Sequence, residues 1–339
     1  MRDVPGAVRP GGMKESDITE SMPRTVGELG EFALIARMNA GRSPGPGVVL
    51  GPGDDAAVLE APAGRYVVST DMLIQDRHFR LDWSQPYQIG AKAIAQNAAD
   101  VVAMGAAPTA FLVALGCPAQ TPVEFVDGLV EGMWSEAERA GASIAGGDVV
   151  RSPLLVLSVT AFGDPARPPV LRSGARNSDL VAVAGRLGFS AAGLAVLTAG
   201  ADRDRFAGLV AAHRIPQPPY GAVLDLPDAT MITAMSDISD GLLADLAHLA
   251  EASGVAIDID AEAVTDPVLH GAAEALGVDP LTWALTGGED HAFAATFRAG
   301  TQLPPGWREI GRVRSGTGVF VDGARWAGPL GWESFAGGE

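Results

Sequence analysis

Two αβ domains of comparable size are what this sequence predicts, and three observations predict them. The chain has 339 residues, too many for one ordinary core. Segments with helical apolar spacing alternate with short aliphatic runs over its length. Near the middle, residues 163–170 hold three prolines and read as a linker between two such alternations.

The elements follow in order. Leu29, Phe32, Ala33 and Ala36 recur at helical spacing and predict a first helix over 27–38. A Pro/Gly stretch leads to a short strand over 48–50, and a second strand covers 66–70 with Asp71 at its end. Ser84 and Pro86 start a helix running to Met104, where Gly105 stops it. Gln96, Asn97 and Asp100 share one polar face of that otherwise aliphatic helix. Thr121-Pro122-Val123-Glu124 has the pattern of a capping box and opens a helix to about Ala140. Strands over 142–145 and 154–162 follow, separated by the turn Gly146-Gly147-Asp148. Beyond the linker, strands are expected over 180–184, 231–234, 255–259, 291–296 and 310–313. Helices are expected over 190–198, 242–252 and 267–276, and Pro216, Pro218 and Pro219 break the chain after a short helix.

Composition narrows the function. Hydrophobic residues make up 47%, enough for a sizeable core, and no apolar run reaches the roughly 18 residues a membrane span needs. The first 26 residues carry no apolar signal-like stretch and read as a frayed extension. The single cysteine, Cys117, fits a reducing, cytoplasmic setting and reads as a small buried residue. The net charge is −17, from 41 acidic and 24 basic residues, which argues against nucleic acid or anionic membranes as partners. Only Lys14 and Lys92 are lysines, and neither sits in a G-x-x-x-x-G-K-[ST] loop. A nucleotide bound here would rest on metal ions, arginines and backbone N–H groups.

Five acidic spots stand out, read as Gly- or Ser-rich turns rather than a solvated helix face. They are Gly51-Pro52-Gly53-Asp54-Asp55, Ser69-Thr70-Asp71, Asp100, Gly146-Gly147-Asp148 and Ser236-Asp237-Ile238-Ser239-Asp240-Gly241. Carboxylates and hydroxyls are hard donors that suit Mg²⁺, and neighbouring glycines let backbone approach a phosphate. One such turn alone is more often a cap or an Asx-turn, and Asp240-Gly241 fits that reading too. Five together, with so few lysines to balance them, favour metal. Arg172, in Leu171-Arg172-Ser173-Gly174, either clamps a phosphate or is an ordinary loop arginine. His78, seven residues after Asp71, is either structural or a ligand contact. Glu289, after a glycine pair, can accept hydrogen bonds from an amine. Trp332 either plugs a core or stacks on a ring.

Collinear from Gly27 to about Phe335, the strings GELGEFALIARM, GPGDDAAVL, VVSTDMLIQDRHF, KAIAQNAADVVAMGA, GGD, LRSGA, SDISDGLLADL and TGGED resemble the thiamine-monophosphate kinase family of the PurM-like superfamily. The resemblance implies an α/β (α+β), two-domain PurM-like fold, with residues 1–26 an extension. The N-terminal ATP/Mg-binding αβ domain, 27–165, would dimerise through its sheet; the C-terminal αβ domain, 170–335, would carry a mixed sheet. It implies a homodimeric enzyme that phosphorylates thiamine monophosphate with ATP and several Mg²⁺ ions. Asp55, Ser69, Thr70, Asp71, Asp100, Asp148, Asp237 and Asp240 would ligate metal. Gly147, Asp148, Arg172 and Ser239 would contact ATP, and His78, Glu289 and Trp332 the acceptor. Pro52 and His291 depart from the family's usual aliphatic residue and tyrosine. Related branches use a reactive cysteine near a terminus, which this chain lacks. A non-catalytic metal binder would leave Arg172 and the paired glycines without a role.

Overall fold

In the computed structural model the described residues are 25–43, 45–52, 56–227 and 231–332; Asp55 lies outside them. The elements are α1 (Val26–Leu29), α2 (Glu31–Asn39), β1 (Val48–Leu50), β2 (Val58–Leu59), β3 (Val67–Ile74), α3 (Pro86–Ala103), β4 (Ala107–Cys117), α4 (Val123–Arg139), β5 (Ser143–Arg151) and β6 (Val156–Asp164). The second half contains β7 (Leu180–Ala184), α5 (Phe189–Thr198), α6 (Ala207–Arg214), α7 (Tyr220–Leu224), β8 (Ile232–Ile238), α8 (Leu242–Ser253), β9 (Ala256–Ile259) and α9 (Ala261–Val264). After a 3₁₀ turn come α10 (His270–Leu276), α11 (Pro280–Thr286), β10 (Ala292–Phe297), β11 (Trp307–Arg314), β12 (Gly318–Val321) and β13 (Ala324–Arg325).

Two sheets organise these elements into two domains. The first has strand order β3-β6-β4-β5, antiparallel except for β4 with β5. The second is a seven-stranded mixed sheet, β13-β12-β9-β11-β7-β10-β8, in which only β12 and β9 run parallel. Strand β7 is buried throughout, and its side chains alternate between two cores. Val181 and Val183 face one core with α5 and α8; Leu180, Ala182 and Ala184 face another that continues into the first domain. A strand buried on both faces reads as an unbroken apolar run, as this one does.

Helix α3 joins the two domains. It is buried almost all round, as its Ala-, Ile- and Val-rich sequence requires. It crosses α4 at backbone contact, because a Cβ on Gly90 would stand 2.0 Å from the Leu129 carbonyl oxygen. On Gly132 it would stand 1.9 Å from that of Tyr87.

Several elements differ from the sequence reading. The first helix is split at Gly30, whose φ of 81° interrupts it. Thr121 forms no capping box, whereas Thr25 with Glu28 and Gln85 with Gln88 do: α4 starts at Val123 with Pro122 as its cap and no side-chain bond. Strand β4 has no counterpart in the sequence reading, because its alanines, proline and glycine hide the pattern. Gly146-Gly147-Asp148 is no turn but part of β5, and Asp237 lies on β8. Pairing with β4 and β10 carries both strands through those glycines and acids.

Candidate functional site

Strand β3 sorts its motif by alternation. Ser69 and Asp71 face α3, where Ser69 Oγ donates to Asp100 Oδ2 at 2.7 Å and Gln96 Nε2 donates to Asp71 Oδ2 at 3.2 Å. Fully buried Asn97 accepts the Asp71 N–H and donates to the Ala93 carbonyl, tying strand to helix. Thr70 points to the opposite face and bonds Val159 O and Thr160 Oγ1. Asp100 is therefore on the polar face of a buried helix, not in a turn.

From the other domain, β8 delivers Asp237 and its following turn delivers Asp240. Burial, then the charges of Asp237 and Asp71, raise the Asp100 carboxyl to about 7. Asp240 is raised by burial and by the same two neighbours, with His248 opposing. Four carboxylates from two domains thus sense one another. His291 Nδ1 lies 3.1 Å from Asp237 Oδ2; burial opposes its charge, but Asp237 and then Asp100 hold its pKa above the usual value. A cavity of about 480 Å³ opens here, lined by Ser69, Asp100, Arg172 and Asp237 among others. A larger one of about 730 Å³ near Pro218 and Pro305 carries none of these acids.

Mg²⁺ fits this donor set, which is oxygen-only and carries more negative charge than buried carboxylates tolerate unpaired. Among the described residues no three His, Cys, Asp or Glu side chains converge on one ion. Ligation would be completed by water and phosphate oxygens, as Mg²⁺ commonly requires.

His78, Glu289 and Trp332, the residues expected at the acceptor, lie at the neighbouring end. His78 Nδ1 accepts the Ile74 N–H at 3.0 Å, which leaves its proton on Nε2; burial keeps the ring below its usual pKa. Glu289 has a left-handed φ of 64° and His291 one of 50°. Such backbone costs about 1–3 kcal/mol per residue and gathers at functional sites. Burial would raise the Glu289 carboxyl, but Lys92 and His213 together hold it below its usual value. Trp332 stands beside them because its N–H donates to the Asp240 carbonyl at 2.9 Å. Gly331 permits that docking, since a Cβ there would lie 2.3 Å from the same oxygen. The Trp332 ring is 53% exposed, with the Arg77 guanidinium 4.8 Å from its centroid.

Gly147 and Asp148 are not brought to this cluster. Gly147 shares a row across the sheet with Asp71 but three strands away, roughly 14 Å at the usual strand spacing. Asp148 is exposed on the open face. Gly147 is glycine for packing, since a Cβ would meet the Val113 carbonyl oxygen at 1.9 Å.

Comparison with known proteins fits this geometry. Residues 53–164 match the AIR synthase related protein N-terminal domain and residues 176–288 the corresponding C-terminal domain. The chain is 54% identical over 326 residues to a thiamine-monophosphate kinase of Mycobacterium tuberculosis (strain CDC 1551 / Oshkosh), covering 95% of this chain and 96% of that protein. The chain belongs to the thiamine-monophosphate kinase family. The Corynebacterium glutamicum enzyme of that name is 44% identical, covering 92% and 95%. A solved structure described as AaThiL complexed with AMPPCP and TMP superposes with a TM-score of 0.76 at 34% identity, covering 94% of this chain and 100% of that one.

For this thiamine-monophosphate kinase family member, sequence reasoning missed residues that shape the candidate site. Asp245 is one. Its Oδ2 accepts the N–H groups of Ser239, Asp240 and Gly241 at 3.1, 3.1 and 3.2 Å, shaping the turn that carries Asp240. Burial, then Asp237 and Asp240, raise its carboxyl to about 7. Asp290, which follows Glu289, accepts the Gly188 and Ser190 N–H groups and ties that loop to the start of α5. An acid in the first turn of a predicted helix was the available signal for Asp245.

Proposed function

We propose that this chain transfers the γ-phosphoryl group of ATP directly to the phosphate of thiamine monophosphate, giving ADP and thiamine diphosphate, the last step in making that cofactor. One observation carries the reading: Asp71 and Asp100 of one domain meet Asp237 and Asp240 of the other, with His78, Glu289 and Trp332 at the neighbouring end. The AMPPCP and TMP in the AaThiL complex support the same substrate pair.

The chain's own residues divide the work. Asp71, Asp100, Asp237 and Asp240, with Ser69, would hold Mg²⁺. Bound there, Mg²⁺ would supply positive charge that neutralises the facing phosphates. Arg172, which lines the cavity, would clamp a phosphate of ATP, with Ser239 as a further contact. The Nε2–H of His78 and the carboxylate of Glu289 orient the acceptor, and Trp332 stacks on one of its rings. The acceptor phosphate is already ionised near neutral pH, so no side chain has to remove a proton from it. Alignment and charge neutralisation then do most of what phosphoryl transfer requires.

We further read the enzyme as a cytoplasmic homodimer, with domains at 27–165 and 170–335. Among the described residues no helix is long and apolar enough to cross a membrane. The first sheet leaves Val68, Met72 and Val150 about half exposed on its open face, and β3 and β5 are its edges. Edge β5 of one copy against edge β3 of another would bury these side chains between the two copies. Met72→Arg should then yield a monomer by sedimentation and lose activity with it.

The deciding experiment offers ATP and Mg²⁺ with thiamine monophosphate, thiamine or an unrelated phosphomonoester. Thiamine diphosphate formed only from the first, with no ³²P left on protein incubated with labelled ATP alone, is the expected result. A labelled enzyme, or equal use of all three acceptors, would defeat the reading.

A further inference from the structure

Lys92 is the only lysine among the described residues, and it touches none of the proposed metal ligands. It is 2% exposed, in the middle of α3. An ammonium has three donors, and all three are used. Nζ lies 2.9 Å from Glu289 Oε1, 3.1 Å from the His78 carbonyl oxygen and 3.4 Å from that of His213. The first two partners are acceptor-binding residues contributed by different domains. The third begins a chain on the far side: His213 Nδ1 lies 3.5 Å from Glu289 Oε2 and 3.1 Å from Ser190 Oγ.

Full burial of an ammonium is costly unless it is paired and its donors are satisfied. A methionine of similar length would fill the same space without that cost. What the lysine adds is direction: one atom fixes the Glu289 carboxylate and the His78 main chain relative to each other. Glu289 sits on left-handed backbone and keeps about a third of its side chain exposed, so it needs an outside constraint. A carboxylate has about four acceptor sites, and Lys92 and His213 occupy two at most, leaving the others for a ligand donor.

We propose that Lys92 is a positioning residue for the acceptor. It acts through Glu289 and His78 across the domain junction, so that the carboxylate meets the amino-substituted ring of the substrate in one orientation. His213 forms the second wall of that carboxylate. This rests on the functional reading above for the identity of the acceptor. Neither group contacts the transferred phosphate, so the effect falls on the acceptor and spares ATP.

The test is a double-mutant cycle of Lys92→Met and Glu289→Gln, with Lys92→Arg as the conservative variant. Lys92→Met should raise KM for thiamine monophosphate roughly 10- to 100-fold. KM for ATP should stay within about twofold, and calorimetric MgATP binding should stay intact. Glu289→Gln should add little in the Lys92→Met background, and Lys92→Arg should recover part of the loss. Additive losses in the cycle, or equal changes in both KM values, would overturn the proposal. Where Lys92→Met gives no folded protein, the same cycle is run from Lys92→Arg, with additivity again decisive. A wild-type enzyme that ignores thiamine monophosphate but phosphorylates another acceptor defeats the functional reading instead. The cycle is then read on KM for that acceptor.

Discussion

Asp237 shows how much a single residue carries. It lies on a buried strand, bonds His291, and contributes to the raised carboxyls of Asp100, Asp240 and Asp245. Asp237→Asn removes that charge with little change of shape. Turnover should fall by more than about 100-fold while the thermal midpoint stays level or rises. A mutant with near-normal turnover at saturating Mg²⁺ would dispose of the metal site. Trp332→Ala should raise KM for the acceptor about 10-fold through loss of a ring contact worth about 1–2 kcal/mol, with ATP unaffected. At this scale the sequence was legible where chemistry repeats: acids beside glycines announced themselves. Lys92, His213 and Asp245 did not, because each acts through partners 4 to 197 positions away in the chain. Nothing in a buried helix of alanines marks which lysine will find a glutamate.

Helices and strands were legible in proportion to their periodicity. Helices α3 and α4 and strand β7 were read nearly to their ends from apolar spacing. Strand β4 was lost, and β5 and β8 were cut short at the glycines and acids that belong to the site. There tertiary pairing overrides local preference: Gly147 is a strand residue because β4 lies against it. The same close approach governs α3 with α4. Gly132→Val places a branched side chain on the Tyr87 carbonyl and should destabilise by about 1–3 kcal/mol or more. That corresponds to at least several degrees in thermal midpoint, measured by circular dichroism. An unchanged midpoint would mean the two helices separate more easily than their contact implies.

Over the whole molecule, buried acids set the response to pH. Asp100, Asp245 and Asp290 have carboxyls raised to about 7 from 3.8, each chiefly by burial. Between those limits the folded chain holds protons that the unfolded chain has lost, so stability falls as pH rises from about 4 to about 7. His213, lowered from 6.5 to about 4 by burial and then Lys92, pulls the other way below pH 6.5, as does His78 more weakly. The three acids outnumber them. The thermal midpoint of metal-free protein should drop between pH 5 and 7.5. Mg²⁺ should stabilise more at the higher pH, because Asp100 must lose its proton to bind. A midpoint that climbs across that window would contradict this account. Helix α3 adds a consequence of another kind. Its residues sit in a hydrophobic cluster that also contains Leu180, Ala182, Phe293 and Trp307 of the second sheet. Among the described residues the two halves share one apolar wall, and the protein should melt in one calorimetric transition. A fragment cut near residue 165 would leave that shared wall bare and should not stay soluble alone.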